Sequence, residues 1–257
     1  MFTVPTELYT NFNNVVYYDE PHKYYLGDKN LISATTLIHK YQSPFDEFHW
    51  SNVKAQEFNL SASEIIDAWR FINVKGTMKG SIIHDYTENL FLNKVFKYPK
   101  DSIIKEFGFD PILREYNTTK RHVDNFHRAA KGKLIPIKTE FIVYDEDSMV
   151  GGMMDMLFYN VRMGCYQIYD WKTNKEFSMS NQWQKLLGCL SDLDDCDFEV
   201  YSLQLSLYKY IIEKNTNIKL GTSYVVWFSH NNLDYKIIEV ADRTEYIKKI
   251  FAELCKN

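Results

Sequence analysis

The sequence predicts an α/β fold in a single domain, with a central mixed sheet flanked by helices. Three observations predict it. Strand-like and helical runs interleave along the 257 residues, an order that suits helices on both sides of one sheet. The central strands carry apolar residues on both faces, as covered strands do. The chain is 45% hydrophobic and 16% aromatic, ample for a core, and no low-complexity linker, heptad array or internal repeat divides it.

The elements follow in order. Val15 to Leu26 reads as a hairpin around a polar turn, Asp19 to His22, with a second turn at Gly27-Asp28. Ser33 to Thr36 caps a short helix ending near Tyr41. Asp46 to Phe58 and Ala62 to Asn73 space their apolar residues helically, and Ser61 or Ser63 can cap the second. Gly76 and Gly80 punctuate the chain before a helix over Ser81 to Asn93. Phe107 to Lys131 is mostly helical, with breaks near Pro111 and Asn117-Thr118. Strands follow at Leu134 to Tyr144, Met149 to Asn160 and Tyr166 to Thr173. A helix spans Phe198 to Lys214, a hairpin spans Ser223 to Val240, and Arg243 to Lys256 forms a closing helix. Residues 1–75 would form an N-terminal hairpin and helical cover, and residues 76–257 the core.

Composition excludes several classes. The formal net charge of −4 gives no global basic field. The local cluster of Lys120, Arg121, His122, Arg128, Lys131 and Lys133 reads as a solvated helix face. Cys165, Cys189, Cys196 and Cys255 form no CxxC pair, so zinc and iron–sulfur ligand spacings are missing and reduced thiols are expected. Met1 to Thr10 lacks the pattern of a signal peptide, and no apolar stretch approaches the roughly 18 residues of a membrane span.

The chemistry concentrates in two adjacent strands. If Val161 to Gly164 form the turn between them, Asn160 faces Cys165, and Asp155 falls opposite Asp170. Opposed residues share a face with Cβ atoms roughly 4.5–5.5 Å apart. Carboxylates that close repel unless a cation lies between them. Lys172, two residues beyond Asp170, joins that face with Met153, Leu157 and Ile168, while Met154, Met156, Phe158, Tyr169 and Trp171 take the other. Two acids and a lysine suit Mg²⁺ or Mn²⁺ beside a phosphate. Glu140, on the preceding strand, is either a further acid of the site or a cross-strand partner for a lysine. His84 and Glu88 share a helix face at i and i+4; the histidine is either a ligand or an exposed helix residue. Gln204 and Tyr208 have the same spacing and suit phosphate or sugar oxygens.

Together these pieces resemble the PD-(D/E)XK nuclease superfamily, and its RecB-like branch in particular. Gly80-x-x-x-His84 lies on a helix, Gly152-x-x-Asp155 in a strand, Asp170-Trp171-Lys172 in the next strand and Gln204-x-x-x-Tyr208 in a later helix. The stretch His22 to Tyr25, followed by Ser33 to Thr36, is similar to phage and mitochondrial exonucleases of that branch. The resemblance implies a restriction-endonuclease-like core. It implies that His84, Asp155, Asp170 and the Trp171 carbonyl bind Mg²⁺ or Mn²⁺, that Lys172 acts on the attacking water and scissile phosphate, and that Gln204 and Tyr208 contact DNA or brace the site. Glu88 would touch a second metal ion.

The function expected is therefore metal-dependent DNA exonuclease activity, on single strands or free ends. The alternatives are a structure-specific endonuclease and a non-catalytic, nuclease-like DNA-binding module. The expected partners are single-stranded DNA and replication or recombination proteins, with no membrane. The expected compartment is the cytoplasm, that of a host for a viral chain. Asp46 to Val74 would cover the strand, with Phe48, Trp50, Phe58, Trp69 and Phe71 either stacking on bases or serving as core.

Overall fold

The structure, a computed structural model, describes residues 4–18 and 22–255. Asp19, Glu20 and Pro21 of the expected polar turn, the first three residues, and Lys256 lie outside them. The elements run α1 (Glu7–Thr10), β1 (Val15–Tyr18), β2 (Lys23–Leu26), β3 (Lys29–Ser33), α2 (Ala34–His39), α3 (Glu47–Phe58), α4 (Ala62–Phe91), α5 (Lys100–Phe107) and α6 (Leu113–Ala130). Then follow β4 (Leu134–Asp145), β5 (Val150–Asn160), β6 (Cys165–Lys172), a 3₁₀ turn at Gly188–Leu190, α7 (Asp197–Asn215), β7 (Tyr224–Trp227), β8 (Lys236–Glu239) and α8 (Thr244–Leu254). The strands form one open mixed sheet of eight, flanked by helices on both faces.

Both faces are covered because both are apolar. On one, Leu157, Ile168 and Val225 pack with Leu203, Leu207 and Ile211 of α7 and Ile247 and Ile250 of α8. On the other, Met156, Phe158, Tyr169, Trp171 and Phe228 pack with Ile82, Ile83 and Tyr86 of α4 and Tyr116, Val123 and Phe126 of α6. Truncating a buried side chain as large as Trp171 would cost about 3–5 kcal/mol. One strand residue departs from the expected faces. Met154 pairs with Phe141 and belongs to the first cluster. Phe12, just after α1, meets Phe141 edge-on at 5.7 Å and covers that end of the sheet.

The connectivity around β5 creates the site. On one edge β5 pairs with β4 from Asp145↔Val150 to Leu134↔Asn160. On its other edge it pairs in parallel with β3 at Val150 and Gly151, and antiparallel with β6 from Met156 to Asn160. Residues 152–155 lie between these two partners, at a fork in the sheet.

Helix α4 is longer than expected. Two helices separated at Gly76 and Gly80 are in fact one continuous 30-residue helix. Glycine in a helix interior costs about 1 kcal/mol against alanine, yet packing of the C-terminal half and a capping box at the N-terminus hold the helix together. Ser61 accepts from the Glu64 N–H, and the Glu64 carboxylate accepts from the Ser61 N–H at 2.7 Å. Helix α6 likewise runs unbroken through Asn117 and Thr118. Its basic cluster is not wholly solvated: His122 is fully buried, whereas Lys120 pairs with Asp124 at 2.8 Å along the helix.

The cover is less buried than a core. Phe48 is 80% exposed, and Phe58, Trp50 and Phe71 are also exposed; Trp69 is half-buried against Phe45. Among the described residues no helix is long and apolar enough to cross a membrane, and all four cysteines are free thiols.

Candidate metal centre

The β5–β6 ladder has the expected register, Asn160↔Cys165 through Met156↔Tyr169. It stops one step short of Asp155 and Asp170, where the strands part. The Asp155 carboxylate takes over there, accepting from the Trp171 N–H at 2.6 Å. Alternation along β6 buries the Trp171 ring among Phe91, Phe126 and Phe228, so Asp170 and Lys172 point to the opposite face.

The fork admits groups from both layers. From α4, His84 Nδ1 lies 3.3 Å from Asp155 Oδ1, and its Nε2 lies 3.0 Å from the Trp171 carbonyl. From β4 comes Glu140, whose backbone is left-handed at φ 44°. Positive φ is costly for a non-glycine residue, by the order of 1–3 kcal/mol, and persists where the surroundings over-determine it. Ligand atoms of His84, Glu140 and Asp155 all lie within 4.8 Å of one another. Glu140 is thus placed beside the two groups that the sequence singled out.

From α7, on the other layer, come Tyr201, Gln204 and Tyr208. Gln204 donates to the Tyr208 hydroxyl at 3.0 Å. Tyr208 is buried, and a Cβ on Gly152 would lie 2.7 Å from its ring. The glycine of Gly152-x-x-Asp155 thus lets α7 approach the strand. Tyr208 is buried and presents no surface to a nucleic acid, so direct DNA contact does not fit this position, whereas the other expectation, bracing the site, fits its packing on Gly152. Gln204 is half-buried beside it.

Asp170 lies outside the group formed by His84, Glu140 and Asp155, and its Oδ2 lies 2.5 Å from Lys172 Nζ. Lys172 also sits over the Tyr201 ring at 4.7 Å. Glu88 accepts from Thr139 Oγ1 at 2.9 Å.

The electrostatics describe an acid-crowded site. Burial, and then the Asp155 charge, push Glu140 up to about 8. Burial likewise raises Asp170, with Lys172 opposing and Asp155 adding to the rise. Asp155 goes the other way: burial is outweighed by His84, which holds it low. Burial disfavours the His84 imidazolium, but the Asp155 carboxylate prevails and lifts it to about 9. Burial works against the Lys172 ammonium too, and Asp170 and Asp155 override it upwards. Crowded carboxylates held partly by protons are what a divalent cation relieves. One imidazole nitrogen and two carboxylates fit Mn²⁺ or Mg²⁺ as a donor set, with the Trp171 carbonyl beside them.

The site opens on a cleft of about 1050 Å³. Its walls include His84, Lys172 and Tyr201, and also Lys75, Lys79, Glu115 and His230. Sequence reasoning missed the last four, which come from three separate segments. Tyr201 carried a signal: it lies three residues before Gln204 and shares its helix face.

No protein-family model matches the chain, and no curated protein matches it. Among solved structures, the chain is similar to a "Putative exonuclease" from Eubacterium rectale, with a TM-score of 0.40 and 14% identity over 70% of this chain. The match spans 64% of that protein, less than two thirds of its length. It is also similar to the protein SSO0001, with a TM-score of 0.27 and 12% identity over 71% of this chain and 87% of that one.

Proposed function

We propose that the protein is a metal-dependent nuclease of the PD-(D/E)XK type that hydrolyses phosphodiester bonds in DNA, acting as an exonuclease on single strands or free ends. The observation that carries this reading is the convergence of His84, Glu140 and Asp155 within 4.8 Å, beside the Lys172–Asp170 pair, with His84 and Lys172 lining a cleft of about 1050 Å³.

His84, Glu140 and Asp155 would hold the ion, with the Trp171 carbonyl and Asp170 adjoining. A bound Mg²⁺ or Mn²⁺ supplies Lewis-acid polarisation of the phosphate and a more acidic water at neutral pH. The chain's own groups do the rest. Asp170 and the Tyr201 ring fix the Lys172 ammonium, which orients the attacking water and offsets charge developing on the phosphate. Tyr208 and Gln204 hold the fork at its width. Asp155 accepts the Trp171 N–H through Oδ2, and its Oδ1, 3.3 Å from His84 Nδ1, is the oxygen that would serve the ion. Exposed Phe48, Trp50, Phe58 and Phe71 on the cover suit stacking on unpaired bases.

The test is cleavage of linear and circular single-stranded DNA with Mg²⁺ or Mn²⁺. Degradation of the linear form alone supports the exonuclease. Cutting of circles moves the reading to an endonuclease, and salt-sensitive binding without cleavage moves it to a binding module.

A further inference from the structure

The cleft at the candidate metal centre also carries charges outside its proposed chemistry. Lys75 and Lys79 of α4 both reach Glu115 of α6, at 2.5 and 3.1 Å. His230, in the loop between β7 and β8, lies 3.3 Å from Lys79 Nζ and 3.5 Å from Glu115. The Lys79 side chain is only 6% exposed. A lysine this buried needs a partner charge, and Lys79 shares its carboxylate with the more exposed Lys75. Across the whole cleft the described lining has four lysines, Lys75, Lys79, Lys172 and Lys175, against a single glutamate. Burial and the neighbouring lysines hold His230 below its ordinary value, so it adds a neutral hydrogen-bonding ring. The cluster therefore holds one positive charge in excess. It also lies close in space to the strand end that carries Lys172: Gly80, next to Lys79, passes Thr173, with 3.6 Å between its Cβ position and Thr173 Oγ1.

We propose that Lys75, Lys79 and His230, gathered on Glu115, form a subsite for one internal backbone phosphate of a single-stranded nucleic acid lying in the cleft. The proposal rests on the nuclease reading above. An internal diester carries one negative charge and matches one unbalanced lysine; a terminal monoester is close to a dianion at neutral pH and calls for more. Glu115 serves as a stand-in anion that pre-positions both lysines and yields part of their attention when the strand arrives.

The experiment is a binding titration of fluorescent oligo-dT strands with the full chain in EDTA, over a range of salt concentrations. Lys79→Gln should bind roughly tenfold more weakly, and its salt slope should fall by about 0.7, the value for one single-strand phosphate contact. Glu115→Gln should bind several-fold more tightly, since it removes the competing carboxylate. An ion-pair network that only ties α4 to α6 predicts no tightening. The losses should be equal on 5′-hydroxyl and 5′-phosphorylated strands; a loss confined to the phosphorylated strand overturns the internal assignment. If the wild type binds and cleaves but Lys79→Gln keeps its slope and Glu115→Gln fails to tighten, the subsite alone is overturned. If the wild type neither binds nor cleaves any strand, the nuclease reading falls and takes the subsite with it.

Discussion

Lys172 occupies a position where one methylene more or less would matter, because its ammonium is shared between the Asp170 carboxylate and the Tyr201 ring. Replacing it with alanine should lower kcat by the order of 10²–10³-fold, the scale of losing one charge-stabilising group, while strand affinity stays within a few-fold. Single-turnover cleavage and equilibrium binding separate the two effects; a variant that cleaves normally refutes the assignment. Glu140 makes a pH argument. Its value in the folded protein, about 8, lies above that of a free glutamate, so between roughly pH 4.5 and 8 the folded state holds a proton that the unfolded state has released. Its contribution to the metal-free protein is present at acid pH and is lost as pH rises through 8. Urea titrations across that window should show stability falling with pH, and Glu140→Gln should flatten the slope. Both residues were visible in the sequence, Lys172 through its triplet with Asp170 and Glu140 only as one of two alternatives. Glu140 comes beside His84 and Asp155 on a left-handed stretch of β4, which no residue pattern announces.

At the scale of elements, the β5–β6 hairpin was the most legible part of the chain. A four-residue turn and period-two alternation fix register wherever a face is buried, and the observed pairs follow it. The parallel pairings β3–β5 and β6–β7 were not legible, because they join strands far apart in sequence. The continuous α4 was missed for a local reason: two glycines resemble punctuation when tertiary packing is unknown. Gly152 illustrates the opposite case, a glycine with a purpose. A methyl group there would fall 2.7 Å from the Tyr208 ring and 3.0 Å from Ala34 Cβ, so Gly152→Ala should cost about 1–3 kcal/mol through overpacking and shift α7 away from the fork. Chemical denaturation measures the first effect, and a fall in cleavage larger than the stability loss explains reports the second. Ser61→Ala tests the other end of α4. Loss of the capping box should cost about 1 kcal/mol and raise hydrogen exchange in the first turns of the helix, leaving the residues around His84 protected.

For the molecule as a whole, the proposed cation would supply a shared counter-charge to the acids gathered at the fork. Saturating Mn²⁺ at about 100 times its dissociation constant should add about 2.7 kcal/mol, roughly 5–10 °C in Tm for a chain of this size. EDTA should reverse the gain, and Asp155→Asn should abolish it. A Tm that ignores Mn²⁺ would count against the metal centre without any reference to activity. Helix α4 adds a mechanical consequence. At 1.5 Å per residue its 30 residues make a rod of about 45 Å, with aromatic residues near one end and the imidazole of His84 towards the other. A rod without a hinge moves as one piece: on the proposed function, a strand bound against its aromatic end would bear on the same rigid body that carries His84.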